Sequence, residues 1–258
     1  MNIVGTEDWQ GRVFKNRSGL DFKIVEYSDS SNLKIKFLDS GLIKKSSLKA
    51  VRDGYIKDTK SPSVYGVGIV GSKYLTYKQD KVKGRVCLPE YNAWKGLLQR
   101  CYSPRWLEKH PTYLGCSASD NFKHYEYFYE WCNYQIGFKN GWGLDKDIIL
   151  KGNKIYSEDT CVFVPDEINS AFCKADKMRG KYPVGVFYCK HKKGFVAQIN
   201  RGKGRHDYLG TYNSVEEAFI CYKKAKESYL KALADKWNGK VDARVYEALM
   251  NYQVEITD

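Results

Sequence analysis

LDKDIILKGNKIYSEDTCVFVPDEIN, running from Leu144 to Asn169, decides how the middle of this chain folds. Its order reads as strand, loop, strand and helix start. Leu144, Ile148, Ile149 and Leu150 supply the apolar, partly β-branched run of a buried first strand. Lys151-Gly152-Asn153-Lys154 is turn chemistry, because Gly adopts positive φ freely and Asn tolerates it. Cys161-Val162-Phe163-Val164 is a second short apolar run, which Pro165 ends. Asp166 is placed to cap a helix beginning near Glu167.

The polar residues on this scaffold carry the chemistry. Asp145 leads the first strand, and Asn169 sits about one helical turn after Pro165. In a ββα hairpin the first strand and the helix face each other. Asp145 and Asn169 oxygens are therefore expected to meet at one hard divalent cation, Mg2+ or Mn2+. Such an ion stabilises the leaving oxygen of a phosphodiester. Asp147, if still on the strand, points to the opposite face from its neighbour Lys146.

This stretch resembles the HNH (His-Me finger) motif of phage-encoded and homing-type endonucleases. The resemblance places Asp145 on the metal-binding Asp, Asn153 on the loop Asn and Asn169 on the helical metal ligand. Lys146 falls where that family has its general-base His. A Lys with its ordinary pKa of roughly 10.4 is cationic at neutral pH and takes no proton from water. The base then has to be Lys146 with a lowered pKa, Asp147, or a His such as His110 or His124. The likeness extends over about residues 90 to 173, through Arg100-Cys101-Tyr102, Tyr113-Leu114-Gly115-Cys116 and an aromatic helix.

Composition sets the partner class. The 258 residues carry a formal net charge of +13, with 43% hydrophobic and 15% aromatic residues, including 21 Tyr and 6 Trp. Cations for phosphate beside rings for stacking suit nucleic acid. Duplex DNA is the expected partner, and RNA is a weaker reading. The eight Cys contain no CxxC pair, so a structural zinc is not expected, although Cys101, Cys116 and Cys161 are thiols of the right kind. Residues Met1 to Glu7 lack a basic, apolar leader pattern, and no stretch approaches a membrane span. A reduced, cytoplasmic setting is expected.

The sequence predicts a mixed α+β chain of several modules. Residues 1–56 alternate apolar and polar positions in short runs, such as Asp21 to Tyr27 and Leu33 to Leu38, and resemble a small SH3-like β-barrel. Lys34, Lys36, Lys44, Lys45 and Lys49 face outward from it. Val51 to Tyr55 is read as its closing segment. Residues 57–89 read as a basic Gly/Ser linker that orders on binding. Residues 90–174 hold the HNH-like ββα module with bracing helices. In the first helix Tyr91, Trp94, Leu97, Leu98 and Cys101 recur at helical spacing. Asp120 is the expected N-cap of the second, whose apolar face is Phe122, Tyr125, Phe128, Tyr129 and Cys132.

After a charged join at Ala175 to Arg179, residues 179–258 form the last module. Three strands are predicted over Tyr182–Tyr188, Phe195–Asn200 and His206–Tyr212. A helix follows, opened by a Ser214/Glu217 capping box, and a shorter one carries Val245, Leu249 and Tyr252. Tyr182, Gly185-Val186, Phe195-x-Ala197-x-Ile199, Leu209-Gly210 and Glu216-Glu217-Ala218 resemble an AP2-type DNA-binding domain. The resemblance implies a three-stranded sheet in the major groove with a helix behind it. Alternation turns Phe195, Ala197, Ile199 and Leu209 toward the helix and Gln198, Asn200, His206 and Tyr208 outward. Gln and Asn suit adenine edges, while Lys190, Lys192, Lys193, Arg201, Lys203 and Arg205 suit phosphate. Two functions follow: a metal-dependent DNA endonuclease, or a non-catalytic DNA-binding regulator on the same parts.

Overall fold

The apolar alternation of the first fifty residues builds an antiparallel meander in the computed structural model, which describes residues 8–172, 181–202 and 205–257. Strands β1 (Val13–Lys15), β2 (Asp21–Asp29), β3 (Asn32–Phe37) and β4 (Ile43–Ser46) pair in chain order. Phe22, Ile24, Leu33, Ile35 and Phe37 point inward and are buried with Leu48, Val51 and Ile56. Among the described residues no pairing joins β1 to β4, so the sheet is a meander and not the closed barrel expected. The segment read as the closing strand is helix α1 (Leu48–Asp53). Ser47 caps it by accepting the Ala50 amide, and Gly54 ends it in the left-handed region.

Residues 57–89 are not an unstructured connector. The Asp58 carboxylate accepts from the Lys60 amide at 2.9 Å and the Ser61 hydroxyl at 2.7 Å. Gly68 lies so close to Trp94 and Leu98 that a Cβ there would come within 2.5 Å of the Leu98 side chain. A hairpin follows, β5 (Tyr77–Asp80) with β6 (Gly84–Cys87). Composition suggested a linker because the stretch has little apolar content. Local hydrogen bonds and close backbone approach hold it instead.

Helix α2 (Pro89–Tyr102) buries the face that its spacing predicts: Tyr91, Trp94, Leu97, Leu98 and Cys101. Pro104 at N1 starts α3 (Pro104–Lys109). The chain divides into two compact units, one of residues 1–110 with 123–129 and one of residues 111–122 with 130–258. Within the first, Tyr125 meets Trp94 at 5.3 Å between ring centroids and donates its hydroxyl to the Leu75 carbonyl at 2.9 Å.

The second unit begins with β7 (Ser117–Ala118). The aromatic helix α4 (Tyr125–Tyr134) starts later than Asp120 implied, because Asn121–Lys123 is a separate 3-10 turn. Strand β8 is only Gly143–Asp145, not the longer run through Leu150. β9 (Ile155–Tyr156) pairs in parallel with β7, and β10 (Val162–Val164) pairs antiparallel with β8. Helix α5 (Asp166–Ala171) completes a strand–loop–strand–helix unit.

Strands β11 (Val186–Cys189), β12 (Gly194–Asn200) and β13 (His206–Tyr212) form an antiparallel sheet in that order. Helix α6 (Val215–Trp237) packs on it through Ala218, Phe219 and Tyr222 against Val186, Ala197 and Ile199. Ser214 accepts the Glu217 amide, as its sequence predicts. Helix α7 (Ala243–Asn251), capped by Asp242, follows. The far end of α6 and α7 share one core with the ββα segment: Leu230, Leu233, Ala234, Val245 and Leu249 pack with Ile148, Val162, Val164 and Ile168. The ββα segment and the C-terminal module, read as parts of separate domains, therefore share one core.

Gly185 is a tight joint of this unit. Its φ is +74°, and a Cβ would fall 2.1 Å from the Tyr222 ring of α6. Gly185→Ala is expected to destabilise the protein by about 1–3 kcal/mol, through overpacking and a left-handed backbone. Thermal denaturation measures it, and a wild-type midpoint would contradict this packing.

Candidate functional site

Asp145 is the last residue of β8, and its carboxylate turns the chain. Its Oδ1 accepts the amides of Asp147 and Ile148, each at 2.8 Å. Those two bonds end the strand. They also let Asp147 meet its neighbour Lys146, which period-two alternation had placed on the opposite face. Burial and the neighbouring Asp147 carboxylate push the Asp145 pKa up to about 6.

Lys146 is buried, with only 9% of its side chain exposed, and its Nζ donates to Asp147 Oδ2 at 2.9 Å. The ammonium lies 5.8 Å from the centroid of the Tyr156 ring. It is thus engaged inside the loop and not presented outward, as a phosphate contact would require. Asp147 is 47% exposed, so its carboxylate is the solvent-facing member of the group.

Asn153 works as a clasp. Its Nδ2 donates to the carbonyls of Lys146 and Ile155, both at 2.7 Å, and to Thr160 Oγ1 at 3.1 Å. Its Oδ1 accepts the Ile155 amide at 3.1 Å. The loop Asn thus ties both ends of the loop together. Asn169 rides on α5 with its Nδ2 3.7 Å from where a Gly143 Cβ would stand. Gly143 and Asp145 are two residues apart on β8 and share a face, so strand and helix bring Asn169 to the side from which Asp145 projects.

Two carboxylates and an amide are hard oxygen-bearing groups, which fits Mg2+ or Mn2+. Asp145 pressed against a second carboxylate is also an environment that a cation relieves. Among the described residues no group of three or more His, Cys, Asp or Glu could hold a metal. Among the described residues Cys87, Cys101, Cys116, Cys132, Cys161, Cys189 and Cys221 are not joined in disulfides. In the first unit, His110 stacks on Trp106 at 4.1 Å and His124 bridges to Ile69 through its backbone.

The sheet residues divide by face. A bulge at Leu209, between the pairs Ala197↔Gly210 and Gln198↔Tyr208, lets Leu209 pack inward while Tyr208 stays outward. Gln198 and Tyr208 are cross-strand partners on the open face. The Lys192 ammonium lies 3.7 Å from the Tyr208 ring centroid. Hydrogen bonds from Thr211 and Lys192 hold the Tyr208 phenol below its usual pKa. Lys190, Lys193, Arg205 and His206 are exposed. Asn200 is exposed, but its Oδ1 accepts the Gly202 amide at 2.7 Å.

Arg201 lies on the helix side. Its Nε pairs with the Asp207 carboxylate, and its guanidinium stands 5.1 Å over Tyr229. Lys203 lies outside the described residues. Sequence reasoning did not single out Glu158, whose carboxylate accepts the Ser119 hydroxyl at 3.0 Å and the Asn121 amide, bracing the loop beside β7. No spacing signal pointed to that pairing, which spans some forty residues. No helix among the described residues is long and apolar enough to cross a membrane.

No family model, no curated protein and no solved structure matches the chain.

Two predictions follow from the loop. Asp145 binds its proton more tightly folded than unfolded, so its contribution to stability is present below pH 4 and lost as pH rises through about 6. In EDTA, Asp145→Asn keeps an acceptor for both amides and removes the charge. It should match wild type at pH 4 and exceed it at pH 7.5 by at most about 3 kcal/mol. Parallel stability–pH curves would refute this account. Asn153→Ala strips partners from two loop carbonyls and should cost about 1–3 kcal/mol in denaturant melts.

Proposed function

We propose that this chain binds duplex DNA and hydrolyses a phosphodiester bond in it with one divalent cation, Mg2+ or Mn2+. The observation that carries the reading is the paired Asp145 and Asp147 carboxylates at the end of β8, on a strand that Asn169 of α5 overlies.

Asp145 and Asn169 would hold the cation. When bound, it would neutralise charge developing on the leaving oxygen. Asp147 faces solvent and is the group placed to accept a proton from water, the role that the HNH resemblance gives to a His. Lys146 is a positioning residue, its ammonium donating to Asp147 Oδ2 at 2.9 Å and so orienting that carboxylate. Asn153 holds the loop in register. The open face of the β11–β13 sheet, with Gln198 and Tyr208 flanked by Lys190, Lys192, Lys193, Arg205 and His206, would lie in the major groove. Arg201, paired with Asp207, shapes the turn and is not assigned a phosphate.

One observation favours a second reading, a DNA-binding regulator that does not cut. The residue at the expected base position is a buried, ion-paired Lys. A single assay separates the two. Wild type should nick supercoiled DNA in Mg2+ or Mn2+. Asp145→Ala, Asn169→Ala and Asp147→Asn should each lose at least about 100-fold in rate, the scale of a general-base contribution, while still retarding the duplex. Tight binding without nicking in either metal would establish the regulator.

A further inference from the structure

From the β5–β6 hairpin we infer a second duplex-contacting element, separate from the C-terminal sheet, that lays its tip in the major groove. The inference rests on the duplex-binding reading above. Residues 77–87 read YKQDKVKGRVC, with four cations (Lys78, Lys81, Lys83, Arg85) and one acid (Asp80), a net charge of +3. The acid is occupied in building the turn: Asp80 Oδ1 accepts the Val82 amide at 2.9 Å and the Lys83 amide at 2.8 Å. Those bonds hold its carboxyl below the usual range. Gly84, at φ +72°, supplies the left-handed residue that closes a three-residue loop between Asp80 and Gly84.

The tip is therefore formed before any ligand arrives. It displays Val82, 92% exposed, between the exposed Lys81 and Lys83. Among the described residues, Lys78, Lys81 and Lys83 are in no ion pair. The tip thus sets one apolar side chain among ammonium groups. Duplex DNA supplies both partners, phosphates for the lysines and thymine methyls for Val82. A two-stranded ribbon fits the major groove, about 12 Å wide, and not the narrower minor groove. On one face of the ribbon Gln79 and Arg85 are cross-strand partners, both exposed. Tyr77 holds the Arg85 guanidinium 4.0 Å over its ring. Gln and Arg are the side chains suited to adenine and guanine edges there.

The test is fluorescence anisotropy of a 5′-labelled duplex, titrated with the full chain from about 50 to 200 mM NaCl, a range over which phosphate contacts are resolved. The variants are Lys78→Ala/Lys81→Ala/Lys83→Ala together and, as the sheet control, Lys190→Ala/Lys192→Ala. Each phosphate contact contributes about 0.9 to the slope of log affinity against log salt. The hairpin variant should flatten the slope by about 2–3, with the sheet control flattening it independently. A hairpin variant with the wild-type slope overturns this inference and leaves binding through the sheet standing. Wild type that ignores the duplex at about 50 mM salt overturns both readings. Val82→Asp, one exposed position, carries the same test should the triple variant unfold: about tenfold weaker binding supports the hairpin, and unchanged binding overturns it.

Discussion

The apolar seam between the ββα segment and the end of α6 is what the second unit depends on. Val162 and Val164 of β10 and Ile168 of α5 make too small a cluster to hold two three-residue strands and a six-residue helix. Leu230, Leu233 and Ala234 of α6, with Val245 and Leu249 of α7, complete that core. The same helix, one end earlier, backs the three-stranded sheet through Ala218 and Tyr222. Polar contacts lock the seam: Glu167 accepts from Lys236 at 2.6 and 2.7 Å and from the Trp237 indole at 3.0 Å. Trp142 meets Trp237 edge-on at 5.5 Å. One long helix thus makes the carboxylate loop and the sheet parts of a single packed body.

That arrangement bears on the proposed chemistry. A cleavage site needs its groups held within fractions of an ångström, and short elements on their own do not supply that rigidity. Here the loop is fixed twice. Asp145 gathers the amides that leave β8, and Asn153 gathers the carbonyls on both sides of the turn. Neither side chain acts on water in the proposed scheme; each places Asp147 and Lys146, which meet at 2.9 Å. A buried Lys is costly unless paired, and the Asp147 contact offsets that cost.

Much of the C-terminal module was legible in advance, because period-two and period-3.6 patterns report which face is buried. Phe195, Ala197 and Ile199 face the helix, Ser214 caps α6, and the face of α2 is the one its spacing implies. What misled the reading were residues whose structure comes from hydrogen bonds and not from apolar burial. Residues 57–89 have few apolar side chains, yet Asp58 and the Asp80 turn order them. Ile148 looked like strand and is buried, but in a loop, since Asp145 had already turned the backbone.

By itself the sequence determined the strand and helix order of the C-terminal module, the buried faces of its elements and of α2, and the excess of positive charge, because these follow from local periodicity and composition. Only the tertiary structure decided where charge is spent: Arg201 on Asp207, Lys146 on Asp147, Lys236 on Glu167. It also decided that the chain turns at Asp145 and that α6 ties two segments into one core. Two of those ion pairs lie within six residues along the chain, but all three need the backbone's path in space. That path is set by carboxylate–amide bonds and long-range packing that no local pattern encodes.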